Sequence, residues 1–434
     1  MSGETVPQLS PAPSVESSAE PRGIPAAAEK GWPAVVVAGG FQTGVVLMRD
    51  LSRRGLRVHC VDSNPAQAAF RTVYGKAHLC PSADEDPEEW LRFMIRLSSQ
   101  VGGKPVLISS SDQYVTAVAR HAEALDRYFL FCRGSAAVQG LLATKKRQYS
   151  IAGEHGLPVP RTEFVRSAGE AAAFGATARF PCILKPLHFR EWKKIPRDHP
   201  LFEKKLIVLS GLTELEAQYR VAAAINPEMV IQEMIEGPDT AKMVYLSCYD
   251  RDSRRIGACM MRQARTDPIG FGSASVVEPM IDPETDSLCD RFLRSLRYTG
   301  LCEIELKRDS RDGRVKMIEA NPRYSVTADA AYYAGVDLGW LHYLDIIGQT
   351  VTEVVPDTRY FRHICLFRDI ACFRSYMRAG LLTWKDFFRS YRKPVFFFDF
   401  DLHDPRVTLG TVVLVVKLLV APYIRRIIPR RRTE

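Results

Sequence analysis

Short apolar runs alternate with helical periodicity at the start of the patterned part of the chain. The run AVVVAGG, residues 34–40, ends in glycines, and the following FQTGVVLMRDLSRRG has apolar residues at helical spacing and stops at Gly55. A second apolar run, LRVHCVDSNP, carries Asp62 near its end. Strand, helix and strand in this order predict a βαβ unit, the opening of a doubly wound α/β domain.

The same scheme recurs at residues 106–125, where a short strand, an SSSD corner and a helix follow one another. We expect Asp112 at this corner to cap the helix rather than to contact a substrate. The glycines of the first turn, residues 39, 40 and 44, suit a helix N-terminus that can hold an anion, but a tight turn explains them equally well. This domain is expected to end near residue 139.

A different pattern follows a helix that starts at Lys145 and Lys146 and is stopped by Gly156. Strands now alternate with short helices, as in an α+β module. The unpatterned basic segment 187–204 predicts a mobile flap. Further on, residues 240–265 predict a hairpin, residues 269–279 a glycine- and serine-rich crossing, and residues 285–297 and 329–343 helices.

The segment CEIELKRDSRDGRVKMIEANPR, residues 302–323, places acids in two runs that otherwise read as strand. Alternation puts Glu303 and Glu305 on one face of the first strand. Glu319 and Asn321 share a face of the second strand. The turn dipeptide Asp-Gly at 312–313 predicts that the two strands pair as a hairpin. Glu305, Glu319 and Asn321 are therefore expected to converge at one end, with Glu303 as a structural acid further down the strand.

Two carboxylates and an amide oxygen at one strand end are ligands that suit Mg²⁺ together with substrate phosphates. Close unpaired acids repel, so a bound cation is favoured. The alternative is a solvent-facing strand with ordinary polar residues, which we would prefer for the E-I-E run alone. Arg323 adds a positive charge for a phosphoryl group or a carboxylate.

Lys185 lies at the end of the apolar strand CILKP, where a lysine is costly unless it has an anionic partner such as a phosphate. Lys145 is a candidate for a second phosphate contact, although a lysine in a first helical turn is usually a solvated surface charge. Gln232 and Glu233 follow another apolar strand and can read an adenine edge and a ribose. Strand-end acids are also common without any ligand.

The motifs FPCILKP, IQEMIEG, CEIELKRDSRDG and MIEANPR, in this order, resemble the ATP-grasp superfamily, and within it the carbamoyl-phosphate-synthase-like branch of ATP-dependent carboxylate–amine ligases. The resemblance spans residues 34–350 of this chain. It implies that the phosphates of ATP are bound by Lys145 and Lys185, the adenine and ribose by Gln232, Glu233 and Ile235, and Mg²⁺, or Mn²⁺ in its place, by Glu305, Glu319 and Asn321. It also implies catalytic roles for Arg323 and Arg262.

Two departures from the family pattern are visible. The acid that commonly precedes the first lysine is Thr144 here, and the loop after Lys185 is bulky and basic instead of glycine-rich. These departures bear on how the loop covers the phosphates and leave the predicted fold unchanged.

The resemblance implies an α/β fold in several parts. We predict a disordered N-terminal segment (1–31), a small doubly wound, Rossmann-like pre-ATP-grasp domain (32–139), a two-lobed α+β ATP-grasp module (140–350), an accessory C-terminal region (351–406) and an apolar and basic tail (407–434). The implied function is a ligase that activates a small-molecule carboxylate as an acyl phosphate and transfers it to an amine or similar nucleophile.

Two alternatives remain open at this point. One is a membrane-associated ATP-binding protein with the same fold and no ligase activity. The other is a carbamoyl-phosphate or carboxylase reaction, which is disfavoured because no biotin-carrier segment or glutaminase domain is recognised in the sequence.

The formal net charge of +9 is concentrated near the C-terminus, where residues 417–434 carry six basic residues against Glu434. This distribution argues against a nucleic-acid surface and predicts contact with an anionic membrane surface, or a solvated tail. Residues 407–424 are apolar except for Lys417 near the middle. We therefore prefer a helix at the membrane interface, then a helix docked on the body of the protein, and last a helix that spans the membrane.

The cysteine content indicates the cellular compartment in which we expect the protein. Ten cysteines without a C-x-x-C pair disfavour a zinc site or disulfide framework and fit a reducing compartment. A cytoplasmic protein is expected, at the inner face of the membrane if the tail binds lipid. The acids of FFFDFDLHDP near His403 are better explained by a strand and an Asp-Pro turn than by a metal site.

Overall fold

The computed structural model describes residues 31–187, 192, 195–202, 204–357, 359–392 and 394–427, and the side chains of the last helix as far as residue 419. Apart from Gly31, the predicted disordered segment lies outside the described residues. Part of the predicted flap and the arginines at 430–432 lie outside them as well.

The strands within the described residues are β1 (Val35–Ala38), β2 (Val58–Asp62), β3 (Lys76–Leu79), β4 (Val106–Ser109), β5 (Thr162–Val165), β6 (Cys182–Pro186), β7 (Ile207–Leu209), β8 (Met229–Glu233), β9 (Lys242–Tyr249), β10 (Arg255–Asp267), β11 (Ser273–Met280), β12 (Gly300–Arg308), β13 (Val315–Asn321), β14 (Arg362–Ile364) and β15 (Val395–Phe397).

The α-helices within the same residues are α1 (Gln42–Arg53), α2 (Pro87–Val101), α3 (Asp112–Arg120), α4 (Ala122–Leu125), α5 (Ala136–Leu142), α6 (Lys145–Glu154), α7 (Ala168–Gly175), α8 (Leu212–Ala223), α9 (Pro283–Ser295), α10 (Ala328–Tyr333), α11 (Leu338–Ile346), α12 (Leu366–Arg378), α13 (Trp384–Ser390) and α14 (Pro405–Ile427).

The chain divides into two compact units. Unit 1 comprises Met1–Ala143, Pro238–Ile304 and Asn321–Glu434, and unit 2 comprises Thr144–Gly237 and Glu305–Ala320. The division passes through β12 and β13, so each of these strands gives residues to both units. The domain boundaries drawn from the sequence stay predictions.

The first sheet of unit 1 has the order β3-β2-β1-β4, and all its pairs are parallel. This confirms the predicted doubly wound α/β opening. At its first turn the amide of Gly40 donates to Asp62 Oδ2 at 2.7 Å. A Cβ on Gly44 would lie 1.9 Å from the carbonyl oxygen of Gly39. Because a carboxylate of the protein already occupies this turn, the tight-turn interpretation of the glycines is favoured over an anion site.

The second sheet has the order β13-β12-β9-β10-β11-β14-β15. Its β9–β10 hairpin was predicted from the sequence and is confirmed. The predicted crossing at 269–279 is wrong for its second half, which forms β11. Val277 of β11 is buried and pairs with Gln263 on one side and His363 on the other. These neighbours on both sides outweigh the low strand propensity of the Gly-Ser stretch.

Unit 2 contains a third sheet, with the order β5-β8-β6-β7 and antiparallel pairs throughout. Its apolar core combines strand residues such as Leu184 and Ile231 with Leu215 of α8. Trp192 and Leu201, both within the predicted flap, are buried in the same core. The described part of that segment is therefore anchored by apolar side chains.

Two predictions near helix ends need correction. The helix expected at 329–343 is two helices, α10 and α11, separated at Gly335, whose φ of +84° no continuous helix accommodates. Asp112 does not cap its helix: the cap residue is Ser111, and the carboxylate of Asp112 instead accepts a hydrogen bond from Arg323 Nε at 2.7 Å.

The C-terminal region extends unit 1. Strands β14 and β15 continue the second sheet beyond β11, and α14 packs against α12. The acids at 399, 401 and 404 have structural partners. Asp399 accepts from the amides of Leu366 and Phe367, Asp401 from the Tyr74 hydroxyl, and Asp404 from the Thr72 hydroxyl and the amide of Val407. Among the described residues, no helix combines the length and apolar character needed to cross a membrane.

Candidate functional site

A lysine on the apolar strand β6 is the centre of the candidate site in unit 2. The ammonium group of Lys185 donates to Gln232 Oε1 at 3.3 Å and to the Tyr149 hydroxyl at 3.5 Å, and it lies 5.5 Å from the centre of the Tyr149 ring. These partners are neutral. Burial lowers the pKa of Lys185, although the charge of Glu319 opposes this shift. No salt bridge of Lys185 occurs among the residues that the structure describes.

Tyr149, on α6, connects the elements around this lysine. Its hydroxyl donates to the carbonyl oxygen of Ile318 at 2.7 Å. Burial raises its pKa to about 12, and among the further contributions the charges of Glu319 and Glu305 raise it while that of Lys145 lowers it. Both glutamates and Lys145 therefore lie within electrostatic reach of one phenol.

The position of Glu319 is fixed by helix α6. The Tyr149 hydroxyl donates to the carbonyl oxygen of Ile318, the residue before Glu319. Gln148 Oε1 accepts a 2.7 Å hydrogen bond from the amide of Ala320, the residue after it. Two neighbouring side chains thus hold the backbone on both sides of a half-buried acid. Such double anchoring restricts where the carboxylate can point.

The end of β8 and the residues that follow it have their own supports. Buried Gln232 donates to Thr162 Oγ1 at 2.7 Å while its oxygen faces Lys185, and Glu233 Oε1 accepts from the amide of Arg179 at 2.9 Å. Ile235 is buried. Arg311, in the turn between β12 and β13, donates to the carbonyl oxygen of Met234 at 2.7 Å. The predicted hinge is therefore tied to the hairpin turn that the Asp-Gly pair predicted.

The residues at the end of the hairpin in unit 1 form a second cluster. Buried Glu303 accepts from Asn321 Nδ2 at 3.1 Å and from the Ser325 hydroxyl at 2.6 Å. Arg323 donates to Asn321 Oδ1 at 3.1 Å and to Asp112 at 2.7 Å. Glu303 thereby orients the amide of Asn321, in agreement with the structural role that its position suggested.

Arg262 lies on β10 directly opposite Glu278 of β11, and the two side chains form an ion pair. Half of the Arg262 side chain remains accessible to solvent. Its guanidinium group therefore has an ion-pair partner in Glu278 and remains partly accessible to a ligand.

The predicted ligand set for a metal is divided between the units. Glu305 and Glu319 belong to unit 2, where both act on Tyr149, and Asn321 belongs to unit 1 with Glu303 and Arg323. Among the described residues, no group of three or more His, Cys, Asp or Glu side chains is placed to hold a metal ion. Two half-buried carboxylates in one unit nevertheless provide the oxygen donors that Mg²⁺ prefers when substrate phosphates complete its shell.

Comparisons with known proteins now bear on this arrangement. No family model matches the chain. It is 28% identical over 267 residues to the D-aspartate ligase of Enterococcus faecium (strain Aus0004), covering 58% of this chain and 62% of that protein. It is 27% identical over 215 residues to the arginine-specific large chain of carbamoyl phosphate synthase of Geobacillus stearothermophilus, covering 46% and 19%. The chain thus spans less than two thirds of the length of these relatives.

A solved structure agrees with the fold. The N5-carboxyaminoimidazole synthetase of Staphylococcus aureus, in complex with ADP, matches with a TM-score of 0.59 at 13% identity, over 80% of this chain and 86% of that one. The chain has the ATP-grasp fold. The resemblance inferred from the motifs is confirmed, including the relation to carbamoyl phosphate synthase.

Sequence reasoning missed several residues that the structure places beside the predicted site residues. Tyr149 and Gln148 escaped notice because polar and aromatic residues within a helix usually serve the core or the surface. Their spacing from Lys145 on the same helix was the only available signal. The role of Asp112 as the partner of Arg323 had no signal at all, because the two residues are far apart in the sequence.

Proposed function

We propose that the chain is an ATP-dependent ligase that activates a carboxylate as an acyl phosphate and joins it to an amine, forming a C–N bond. The observation that carries this proposal is Lys185: a half-buried ammonium with neutral partners, beside the backbone-anchored Glu319, in an ATP-grasp fold. A buried cation of this kind is stabilised when an anion such as a phosphate binds. The D-aspartate ligase relative supports the class of reaction.

The proposed nucleotide contacts follow the two clusters. Lys185 and Lys145 bind phosphates, and the end of β8 with the residues after it holds the adenine and ribose through Gln232, Glu233 and Ile235. Arg311 supports that segment by its hydrogen bond to Met234.

Mg²⁺, or Mn²⁺ in its place, would be held by Glu305, Glu319 and Asn321. When bound, it would neutralise phosphate charge during phosphoryl transfer. The protein's own contribution is to position the side chains that would bind the metal ion. Glu303 fixes the amide of Asn321, and α6 fixes the strand around Glu319.

Two arginines are proposed to act on the transferred groups. Arg323 is held by Asp112 and Asn321, so its guanidinium is directed before any substrate binds. Arg262 is held by Glu278. Such pre-positioned charges stabilise developing negative charge at little reorganisation cost.

The substrates are proposed to be a small-molecule carboxylate and an amine, and the name of the D-aspartate ligase makes amino acids the first compounds to test. The test is ADP release by the full chain with Mg-ATP and pooled carboxylic acids and amines. We expect release that requires both an acid and an amine. ATP binding without such release would favour an ATP-binding protein, and release that needs only bicarbonate would favour a carboxylase or carbamoyl-phosphate reaction.

We further propose a cytoplasmic location with a membrane contact through α14. Apolar side chains along this helix are exposed: Leu409, Val412, Val413, Leu414, Val416 and Leu419. Basic residues follow them in the sequence. Sedimentation with anionic vesicles tests this contact. Replacing Val413 and Val416 by Ser should abolish co-sedimentation, whereas Val221→Ser, an exposed valine of α8, should not. Equal sedimentation of all variants would refute the contact.

A further inference from the structure

A cavity of about 440 Å³ in unit 1 is lined by residues from β10, β11, β14 and α13. Its volume falls in the range of small-molecule sites. Four arginines line it: Arg262, Arg265, Arg362 and Arg389. The last two come from the C-terminal region, for which the sequence suggested only an accessory role.

Glu278 lines this cavity and pairs with two of the arginines. Its side chain is 6% exposed and pairs with Arg262 and with Arg362, the latter at 2.8 Å. The hydroxyl of Tyr360 donates to the same carboxylate at 2.7 Å. Burial alone would raise the pKa of Glu278, but these three donors outweigh it and lower the pKa. One ionised carboxylate therefore serves two guanidinium groups.

Arg265 is in a different situation. Its guanidinium makes two hydrogen bonds to Asp369, at 2.7 and 2.8 Å, and a third to Ser390 at 3.0 Å. Its side chain is buried. This arginine is compensated by its partner and forms part of the wall.

Arg389 is open to solvent. Its side chain is 55% exposed and lies 3.6 Å from Asp386 in the same helix. An exposed pair of this kind contributes little to stability, so the guanidinium can turn to a ligand at low cost.

The charges of the cavity do not balance. Four guanidinium groups face three carboxylates, those of Glu278, Asp369 and Asp386, among the residues that the structure describes. The excess is positive and lies with Arg262 and Arg362, which share the single carboxylate of Glu278, whereas Arg265 and Arg389 each have a carboxylate of their own.

We propose that this cavity binds a second anionic group of the substrate, a carboxylate or a phosphate, through Arg362 and Arg389. The inference rests on the proposed ligase function and names its substrate class: a carboxylate or amine that carries an additional negative charge. Arg262 lies in the same cavity, so an anion held there would be close to a proposed catalytic side chain. The C-terminal region would then supply specificity for an acidic substrate.

The experiment is calorimetric titration of the full chain with succinate, with neutral succinamide, and with inorganic phosphate. Arg362→Gln and Arg389→Gln are compared with Arg374→Gln, an exposed arginine of α12 outside the cavity. The phosphate arm is repeated with Lys185→Met, so that binding at the proposed nucleotide site is removed. We expect each cavity variant to weaken anion binding by about tenfold, as for loss of a charge-assisted hydrogen bond. Arg374→Gln should leave anion affinity unchanged. Succinamide should not bind to the unaltered chain.

Tighter binding of succinate than of phosphate assigns the cavity to carboxylates, and the reverse order assigns it to phosphates. Absence of anion binding, or equal binding by all variants, would overturn the inference. Melting temperatures identify any variant that fails to fold, and the conservative Arg389→Lys, which keeps the charge, should then retain part of the binding. The titrations use no ATP, so the two proposals can fail separately. Absence of ADP release would refute the ligase function without affecting the anion titration, and absence of anion binding would refute the anion site without affecting ADP release.

Discussion

A buried arginine in unit 1 and a half-buried lysine in unit 2 differ in how their positive charges are compensated. Arg265 in unit 1 makes a two-bonded ion pair with Asp369 and contacts Ser390. Lys185 in unit 2 has neutral partners at 3.3 and 3.5 Å. Burial would lower the pKa of both, but the pKa of Arg265 is raised by its carboxylate, whereas that of Lys185 is lowered.

This is the difference that we expect between a structural charge and a charge that binds a ligand. A buried charge that the fold requires carries its counter-ion in the chain, as Arg265 does. A buried charge without one lowers stability and is understandable if a ligand supplies the missing anion. Variants of the two residues should therefore differ in kind as well as in size.

The largest expected effect is on stability in unit 1. Arg265→Met leaves Asp369 buried without its cation and should lower the free energy of unfolding by about 3–5 kcal/mol. Urea titration of the full chain measures this. Adding Asp369→Asn removes the stranded charge and should recover more than half of the loss. A cost below about 1 kcal/mol for the single variant would show that the pair is not structural.

Lys185→Met should give the converse result. Turnover should fall by about 10²–10³-fold, as when one donor to a transition-state oxygen is removed. Stability should stay equal or rise, because an ammonium with neutral partners no longer has to be buried. Lys146→Met, which alters the next lysine after Lys145 on α6, is the matched control and should keep most turnover. Loss of stability without loss of turnover would reverse the comparison.

Tyr149→Phe should have a smaller effect. It removes the hydrogen bond to the Ile318 carbonyl and should lower the free energy of unfolding by about 1 kcal/mol. Tyr343→Phe is a matched control in unit 1, since its hydroxyl donates to the Pro33 carbonyl at 2.8 Å. Both should lose similar stability, but only Tyr149→Phe should weaken ADP binding in a titration. Equal ADP affinities would separate Tyr149 from the nucleotide site.

The smallest effect concerns pH. Burial lowers the pKa of Lys185 in the folded chain below its ordinary value of 10.5. At a pH between the folded pKa and 10.5, Lys185 is therefore protonated to a greater extent in the unfolded chain than in the folded chain. The contribution of Lys185 to the free energy of unfolding should thus rise with pH across that window, while ATP affinity falls as the ammonium is lost. Subtracting the profiles of Lys185→Met isolates both trends. A difference that is flat with pH would contradict the lowered pKa.

Local patterns were sufficient for many of the elements and for part of the candidate site. Alternation along β12 and β13 and the Asp-Gly turn predicted the hairpin, and the position of Lys185 in an apolar strand predicted an unusual lysine. These signals are local because the side chains lie within one strand or across one turn.

Contacts that depend on register were out of reach. Arg362 and Arg389 line one cavity together with Arg262 because β14 pairs with β11. Strand β11 also pairs with β10, and this second pairing places Glu278 opposite Arg262. Strand β11 itself was missed because its neighbours, rather than its own composition, make it a strand. The same reason explains Asp112, whose partner Arg323 is distant in sequence.

The central claim is that Glu319 takes part in ATP-dependent ligation by this chain. The most direct measurement is ADP release with Mg-ATP and the acid and amine found by the pooled screen, comparing the unaltered chain, Glu319→Ala, and Glu163→Ala as a matched exposed glutamate on β5 of the same unit. We predict that Glu319→Ala lowers turnover by about 10²-fold or more while Glu163→Ala does not. Full turnover by a folded Glu319→Ala variant would contradict the account.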